Sequence, residues 1–498
     1  MMRRLLITGF AALLAAFPAA AQTVVLDLER TVSLATGSSI PAQKYQNQYE
    51  ASRFMYLSWE ASRKPQFTFE STPVMYERYM TQRYLSVEDV DVYRQQRYFY
   101  SQGGISASQV FEPLGGQFYG STRLGWLRTF GEDAQAQFMT VPLSVGYRQD
   151  LLFFNPLKWD RTIEPLKLTQ AEKELSYGIE TASEAAVEKF FTLALAQDQY
   201  RMAEEYLASC DTIYSIAERR YKIASISKAE LSILDLERVN ASTALVNARI
   251  ARQRASEDLA VYLGLDKSSD IELVIPDVPT GLRVDAAEAV EHARENNPAF
   301  IESRVELAQA RRDAEKARVE KNLNLSLDIS LGLNQVANRF SAAYAHPLMQ
   351  DMAIVSLSVP LLDWGKRKNA WEASVSKVKA TERAAEESAR DTELTVSLTV
   401  NEFNERLAIM ETAQQALDIA EDVYTQTLQR FIKGQADAFN LSLAQSYWQT
   451  ARQNRIASLQ NYWLSYYRLR RLTLYDYQKR QPIRYFSPNT HQRTTGIR

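Results

Sequence analysis

Few side chains in this sequence are suited to chemistry. The three histidines, His292, His346 and His491, lie far apart, and Cys210 is the sole cysteine. The chain also lacks a phosphate-cradling glycine loop and a metalloprotease helix motif. Because a metal site or a catalytic centre needs several donors that converge in space, we predict no enzyme activity, no metal site and no cofactor. We expect Cys210 to be a small core residue rather than a reactive thiol.

Acidic residues near two predicted turns remain as candidates for a charged site. Two of them precede a turn at Phe431, one lies at the matching place in an earlier segment, and one lies in the turn itself. In chain order these residues are Asp211, Glu421, Asp422 and Asp437. If several copies of the chain placed them around a lumen, rings of carboxylates would favour cations and repel anions. The alternative is a solvated helix face.

The N-terminal sequence predicts export. Arg3 and Arg4 precede an apolar run in residues 5–16, and the alanines at 19–21 form a small-residue cleavage pattern. We therefore predict a signal peptide over residues 1–21. The alternative is a retained membrane anchor, for which the apolar run is short. The net charge of -2 shows no basic excess, so we expect no nucleic-acid partner.

Long helices are predicted by two runs of residues at heptad spacing, in which steps of three and four alternate. The first run is Leu193, Ala196, Tyr200, Ala203, Leu207, Cys210, Tyr214, Ala217 and Tyr221. A shift of 210 residues gives the second run, Phe403, Arg406, Met410, Ala413, Leu417, Ala420, Tyr424, Thr427 and Phe431. Two copies of one unit therefore fill most of the chain.

Each copy follows the plan helix, strand, strand, long helix, turn and return helix. We place the first repeat at residues 22–281, with strands near 66–76 and 139–148 and long helices over 156–262. We place the second at residues 282–475, with strands near 322–334 and 352–361 and long helices over 364–474. Residues 77–137 are expected to be a long hairpin loop carrying some strand of its own, and residues 476–498 a polar C-terminal tail.

The strand at residues 322–334 has the clearest period of two. Leu323, Leu325, Leu327, Ile329, Leu331 and Leu333 alternate with polar residues or glycine. Such a strand has one apolar and one polar face, and the run has the length that a tilted strand needs to cross a bilayer. One sheet of a soluble sandwich would alternate in the same way.

Four strands per chain are too few to close a barrel in a membrane, where every edge group must be paired. Because barrels begin at about eight strands, the chain should be an oligomer. The helix starting near residue 166 would be on the order of 80 Å long at ~1.5 Å per residue. Its charged surface requires an aqueous compartment, so these observations together predict a conduit.

The sequence resembles the TolC-like outer-membrane efflux protein family over nearly all of the mature chain. The resemblance rests on a duplicated strand-to-helix entry, Leu151-Leu152-Phe153 and Pro360-Leu361-Leu362-Asp363-Trp364-Gly365, and on a duplicated turn. The second turn, Arg430-Phe431-Ile432-Lys433-Gly434, is similar to the family's Arg-Tyr-x-x-Gly, and it is followed by Leu441 and Ala444. The first copy has Ala224 at the glycine position.

This resemblance implies a homotrimer in the outer membrane, with four strands per chain in one β-barrel that continues into a periplasmic α-helical barrel. The fold class would then be mainly α with β, built from a duplicated helix-strand-strand-long-helical-hairpin unit. The helix-turn-helix tips would contact a periplasmic adaptor protein linked to an inner-membrane pump. The tip residues are Tyr221, Lys222, Ile223, Ala224, Phe431, Ile432, Lys433 and Gly434.

The resemblance predicts a non-enzymatic exit duct for small molecules in a tripartite efflux system, embedded in outer-membrane lipid. The same duct could instead serve a one-step protein exporter of the type I secretion class. A third interpretation, an exported soluble coiled-coil scaffold, would apply if the two-faced strands belonged to small soluble sheets.

Overall fold

The computed structural model describes residues 24–85, 90–131, 134–224, 226–266, 271–276, 281–433, 435–436 and 438–485. The predicted signal peptide, Gly434, Asp437 and His491 lie outside the described residues. In the described part, the helices are α1 (Leu28–Ser38), α2 (Ile40–Ser62), α3 (Pro156–Lys222), α4 (Lys228–Leu263), α5 (Ala286–Asn296), α6 (Pro298–Asn322), α7 (Lys366–Ile432) and α8 (Ala438–Thr473). The strands are β1 (Val24–Asp27), β2 (Gln66–Leu85), β3 (Val90–Phe111), β4 (Gly116–Phe130), β5 (Ala136–Gln149), β6 (Ile271–Val274), β7 (Asn324–Ala337), β8 (Leu348–Ser358), β9 (Tyr475–Asp476) and β10 (Gln481–Pro482).

The chain divides into two compact units. The helical unit comprises the described parts of Met1–Gln46, Leu175–Asn296 and Leu394–Arg498, and the sheet unit comprises those of Asn47–Glu174 and Asn297–Glu393. Helices α3 and α7 each contribute residues to both units. Within the described residues, each helix is either too short or too polar to cross a bilayer.

The sheet unit contains one antiparallel sheet with the strand order β2-β3-β4-β5-β7-β8. Strands β2, β5, β7 and β8 overlap the four strands expected from the two repeats, and the predicted fold class is confirmed. The number of strands differs from the expectation, because the segment 77–137 extends β2 and forms β3 and β4. Glycines such as Gly103 and Gly120 interrupt the apolar alternation in this segment, which hides its period of two from a hydropathy pattern.

The two faces of the sheet differ in polarity. We call the side that carries Leu325, Leu327 and Leu331 of β7 the apolar face, and the side that carries Ser326 and Asp328 the polar face. Paired residues of adjacent antiparallel strands share a face. Leu325 pairs with Leu357 and Leu327 with Val355 of β8, so the alternation predicted for residues 322–334 continues into β8.

The core of the helical unit is built from aromatic and aliphatic side chains of four long helices. It includes Phe190 and Phe191 of α3, Leu259 of α4, Val396 and Phe403 of α7, and Tyr462 and Tyr466 of α8, all fully or almost fully buried. The rings of Phe403 and Tyr462 lie 5.2 Å apart. Burying one such side chain contributes about 1.5–3 kcal/mol to the free energy of folding. Strands β1 and β6 form a parallel pair, and their buried residues join this core.

Both predicted heptad runs face the interior of the helical unit. In the first run, Leu193, Ala196, Cys210 and Ala217 are buried. In the second, Phe403 and Phe431 are buried, and Arg406 between them is partly covered and bonded to Glu402. The shared heptad spacing therefore turns the same side of α3 and of α7 toward the interior of the helical unit.

The start of the predicted polar tail is packed rather than loose. Glu180, which is fully buried, accepts hydrogen bonds from Arg470 at 3.0 Å and from the Tyr485 hydroxyl at 2.7 Å. The hydroxyl of Tyr466 donates to Asp476 at 3.0 Å. Burial raises the pKa of Glu180, while Arg470 and Tyr485 oppose that rise. Asp476 and the Tyr485 hydroxyl therefore tie the start of this segment to α3 and α8, whereas Lys479, Arg480 and Arg484 are exposed.

Candidate functional site

The first helical tip is a tight turn between α3 and α4. Its amide at Ala224 donates to the carbonyl of Tyr221 at 2.9 Å, and Ala224 has φ of 54°. This left-handed conformation suits glycine, and for another L-residue it costs roughly 1–2 kcal/mol. Glycine, the residue that the family's motif has at this position, would adopt this conformation without that cost.

A reciprocal cap starts the return helix of this tip. The Ser227 hydroxyl accepts from the amide of Glu230 at 3.2 Å, and the Glu230 carboxylate accepts from the amide of Ser227 at 2.6 Å. This capping box satisfies two amides that the first turn of α4 leaves without helical partners. The hydrogen bond from the Ser227 backbone lowers the pKa of Glu230.

The second tip lies between α7 and α8. The amide of Lys433 donates to the carbonyl of Gln429 at 3.1 Å, and the amide of Gln435 donates to that of Arg430 at 2.8 Å. These bonds satisfy carbonyl groups in the last turn of α7. Of the residues predicted for this tip, Gly434 lies outside the described residues.

The two tips contact each other through Arg220 and Phe431. The guanidinium carbon of Arg220 lies 5.8 Å from the centre of the Phe431 ring, which is 6% exposed. In contrast, Ile223 is 76% exposed and Ile432 is 58% exposed. The predicted tip residues therefore have two roles, because Phe431 joins the turns while the two isoleucines present apolar surface.

Sequence reasoning missed a cavity of about 500 Å³ beside the tips. Residues of α3, α4, α7 and α8 near the two turns line it, and the lining is mostly apolar. Its apolar lining includes Ile213, Ile216, Ile233, Leu234, Phe431, Phe439 and Leu441. Ile233 is 57% exposed and Phe439 is 74% exposed. The sequence does show these apolar residues among charged ones. That they lie close together is known only from the positions of α4 and α8.

Cys210 lies in the wall of this cavity and is almost fully buried. Burial raises the pKa of its thiol, and the Tyr206 hydroxyl beside it donates to Glu237 at 2.8 Å. A thiol with a raised pKa is protonated and poorly nucleophilic at neutral pH. Cys210 is therefore a packing residue, as predicted.

Three of the four acidic candidates lie on helix surfaces. Asp211 on α3 and Glu421 and Asp422 on α7 have exposed side chains, while Asp437 lies outside the described residues. Exposure is compatible with a lumen-facing ring and equally with a solvated helix face. Among the described residues, no group of three or more His, Cys, Asp or Glu side chains could hold a metal ion.

The polar face of the sheet carries a charged cluster that sequence reasoning did not single out. Asp328 of β7 accepts from the Tyr119 hydroxyl of β4 at 2.6 Å and from Arg148 Nη2 of β5 at 2.7 Å. This cluster connects three strands on one face. A signal was present, because Asp328 occupies a polar position in the alternating run of β7.

Comparison with protein families matches residues 289–473 to the model described as outer membrane efflux protein. Comparison with curated proteins gives no match. Several solved structures share the fold. A membrane protein from Pseudomonas aeruginosa is 13% identical, with 91% of each chain covered and a TM-score of 0.65. The CmeC outer membrane channel of Campylobacter jejuni is 13% identical, with 91% of this chain and 88% of that chain covered and a TM-score of 0.64. The outer membrane protein VceC of Vibrio cholerae is 12% identical, with 90% and 95% covered and a TM-score of 0.63.

Proposed function

We propose that this chain, whose residues 289–473 match the outer membrane efflux protein model, is the exit duct of a tripartite efflux system and has a periplasmic helical domain. In this role it passes small molecules from the periplasm, or from a pump, to the exterior. The channel is not an enzyme, and its contribution is a route lined by protein.

The two-faced sheet is the observation that carries this proposal. Its apolar face exposes Leu331 at 62% and Val355 at 63%, whereas its polar face carries the Asp328 cluster. In water such an apolar face would be covered by protein, and in a bilayer it is covered by lipid tails. A polar inner face next to an apolar outer face is what a water-filled barrel requires.

We propose that three copies assemble the duct. The sheet of one chain has two edge strands, β2 and β8, whose outer backbone groups need partners in a membrane. Neighbouring copies supply these partners, so that the sheets close into one barrel and the helical units into one periplasmic tube. The homotrimer follows the resemblance to the efflux family and is the assembly that this proposal requires.

The helical tips are the proposed contact for a periplasmic adaptor linked to an inner-membrane pump. Tyr221, Lys222, Ile223 and Ala224 form the first contact, and Phe431, Ile432, Lys433 and Gly434 the second. Phe431 supports the contact from beneath, whereas the exposed Ile223 and Ile432 supply apolar surface. Apolar anchors with a charged rim are typical of protein interfaces.

We also propose that Asp211, Glu421, Asp422 and Asp437 form acidic rings near the periplasmic end of the tube. Three copies of each carboxylate would attract cations and repel anions in a narrow passage. Three of them are exposed on α3 and α7, which a lumen-facing position requires.

Purification in mild detergent followed by light scattering and planar-bilayer recording tests the duct. We expect the mass of three chains and discrete ion-conducting steps. Recovery from the soluble periplasm, or a monomer that gives no conductance, would instead support an exported scaffold.

In-cell photo-crosslinking tests the tips. A photoreactive residue at Ile223 or Ile432 should capture the adaptor, and one at Val246, which is 51% exposed on α4 away from the turn, should not. Equal capture from all three positions would argue against docking at the tips.

A further inference from the structure

Strands β3 and β4 are integral parts of the sheet rather than a loop above it. Strand β3 pairs with β2 from Gln66 opposite Ser108 to Leu85 opposite Val90, and with β4 from Phe111 opposite Gly116 to Arg97 opposite Phe130. Strand β4 then pairs with β5. The inserted strands have 22 and 15 residues, which exceeds the roughly 9–11 that a tilted strand needs to cross a bilayer.

The inserted strands carry the same two-faced pattern as the repeat strands. Through the chain of paired residues, Ala107 and Ile105 of β3 lie on the apolar face, and Ile105 is 51% exposed. Ser106 of β3 lies opposite Ser121 of β4, which lies opposite Ser144 of β5, so these three serines share the polar face. A solvent-exposed loop has no physical reason to keep this division in register with β5 and β7.

Aromatic side chains cluster at two levels on the apolar face of the inserted strands. At one level the Phe118 ring lies 5.3 Å from Phe111 and 5.0 Å from Tyr147. At the other, Phe99 and Trp126 lie 5.6 Å apart. Two aromatic belts flanking a less aromatic band are the outer-surface pattern of a membrane barrel.

The spacing of these belts fits a bilayer. Phe118 and Trp126 are eight residues apart on β4, a distance of about 27 Å at ~3.4 Å per residue. A strand tilted by roughly 35–45° would separate them by about 20 Å along the membrane normal, near the ~25 Å apolar band of outer-membrane barrels. Gly120, Thr122 and Leu124 face outward between them.

Tyrosine rings lie over glycines on the polar face and join the inserted strands to their neighbours. A Cβ atom on Gly125 of β4 would lie 2.8 Å from the hydroxyl oxygen of Tyr100 of β3. One on Gly146 of β5 would lie 2.5 Å from the ring of Tyr119 of β4. An aromatic ring that covers a glycine of the neighbouring strand fixes the strand register. Such a contact is present both between β3 and β4 and between β4 and β5.

We propose that β3 and β4 are membrane-spanning barrel strands, and that each chain contributes six strands to the barrel instead of the four expected from its two repeats. This inference rests on the proposed function, because it assumes the same trimeric duct. Three copies then supply eighteen strands, three times six. Since barrel diameter grows roughly linearly with strand number, the outer-membrane segment is about half as wide again as one of twelve strands.

The partner of each sheet edge is a second copy of this chain. The strands alternate in direction across the sheet, so β8 runs opposite to β2. Strand β8 of one copy can therefore join β2 of the next in an antiparallel pair. The exposed Leu357 of β8 and Phe67 of β2 place apolar side chains at these edges.

Lipid and aqueous quenchers distinguish a wall strand from an external loop. In full-length protein carrying Cys210→Ala, an environment-sensitive fluorophore is attached to single cysteines and the protein is reconstituted in phosphatidylcholine vesicles. The β3 variants are Ile105→Cys and Ser106→Cys, and the matched β7 references are Leu331→Cys and Ser330→Cys. The probes are a lipid brominated in its acyl chain and iodide in water.

We expect the brominated lipid to quench the Ile105 and Leu331 labels at least about twofold more strongly than the serine labels. Iodide should show the opposite preference. The same comparison on β4 uses Leu124→Cys against Ser121→Cys. The β3 and β7 pairs are adjacent residues on opposite faces, and Ser121 and Leu124 lie on opposite faces of β4 three residues apart.

The outcomes separate the two proposals. If the lipid quenches the Leu331 label but neither the Ile105 nor the Leu124 label, the inserted hairpin lies outside the membrane and the six-strand inference is wrong, while the duct stands. If lipid fails to quench the Leu331 label too, the proposed function itself is wrong. A variant that does not fold would be recognised by loss of the trimer on light scattering, and Thr122→Cys, also on the apolar face, then replaces it.

Discussion

The carboxylate of Asp328 on β7 accepts a hydrogen bond from the hydroxyl of Tyr119 on β4, with 2.6 Å between the oxygens, although 209 residues separate the two in sequence. Arg148 on the strand between them binds the same carboxylate through Nε at 2.9 Å and Nη2 at 2.7 Å. One acidic side chain thus ties an inserted strand, β4, to strands from both repeats.

Replacing this carboxylate should weaken the sheet and change the pore. Asp328→Ala removes two charge-assisted interactions and leaves Arg148 without its anion, so we expect a loss of about 1–2 kcal/mol, reduced by the partial exposure of the pair. Each subunit also gains one net positive charge on the polar face, which should shift selectivity toward anions. Thermal melting in detergent and reversal potentials under a salt gradient measure the two effects, with Ser144→Ala, on the polar face of β5, as the control.

The acidic-ring proposal predicts a specific loss of cation preference. Asp422→Ala removes three carboxylates from the assembled tube, and the cation-to-anion permeability ratio in planar bilayers should fall. Glu387→Ala, an exposed acidic residue on the same helix far from the tip, should leave the ratio unchanged. Unchanged cation selectivity in Asp422→Ala would show that this residue lies on a solvated face.

The left-handed alanine in the first tip predicts a gain in stability. Ala224→Gly relieves the cost of φ near 54°, and we expect stabilisation of about 1 kcal/mol. The same change at Ala208, an exposed position inside α3, should instead destabilise by about 1 kcal/mol, because glycine is unfavourable in helix interiors. Melting temperatures in detergent compare the two variants, and destabilisation by both would refute the assignment of the turn.

The capping box predicts a pH-dependent contribution from Glu230. Its pKa is lowered in the folded chain by the Ser227 backbone amide. The charged carboxylate therefore adds stability above its unfolded pKa of about 4.3, and this contribution is lost as the pH falls through the lowered folded pKa. Glu230→Gln should melt earlier than the parent at pH 7, and the difference should shrink toward pH 3. A difference that is independent of pH would contradict the role of the charge.

The helical architecture could be predicted because heptad spacing depends on local sequence. The runs ending at Tyr221 and Phe431 occupy the inner sides of α3 and α7, and the turn at Ala224 lies where its motif indicated. A period of two likewise identified β7 and β8. These patterns arise from one face of one element, so one stretch of sequence contains them completely.

The features that sequence reasoning missed depend on residues that are distant in the chain. Gly125 is covered by the ring of Tyr100 on the neighbouring strand. A hydropathy pattern shows that glycine only as an interruption of the strand. The Asp328 cluster requires three strands in register. The tip cavity forms only where α4 and α8 lie beside α3. In the sequence, Phe439 and Ile233 are therefore separate apolar residues with no visible connection.

The additional strands β3 and β4 form a hairpin and therefore add an even number of strands. This limits the ways in which the number of strands in such a barrel can change. One extra strand would reverse the direction of every later strand, so that β8 would meet the next copy in parallel and α7 would emerge on the opposite side of the membrane. A pair restores the direction and leaves both connections to the helices where they were. Relatives of this chain should therefore differ by an even number of strands per subunit, and in the whole ring by a multiple of six.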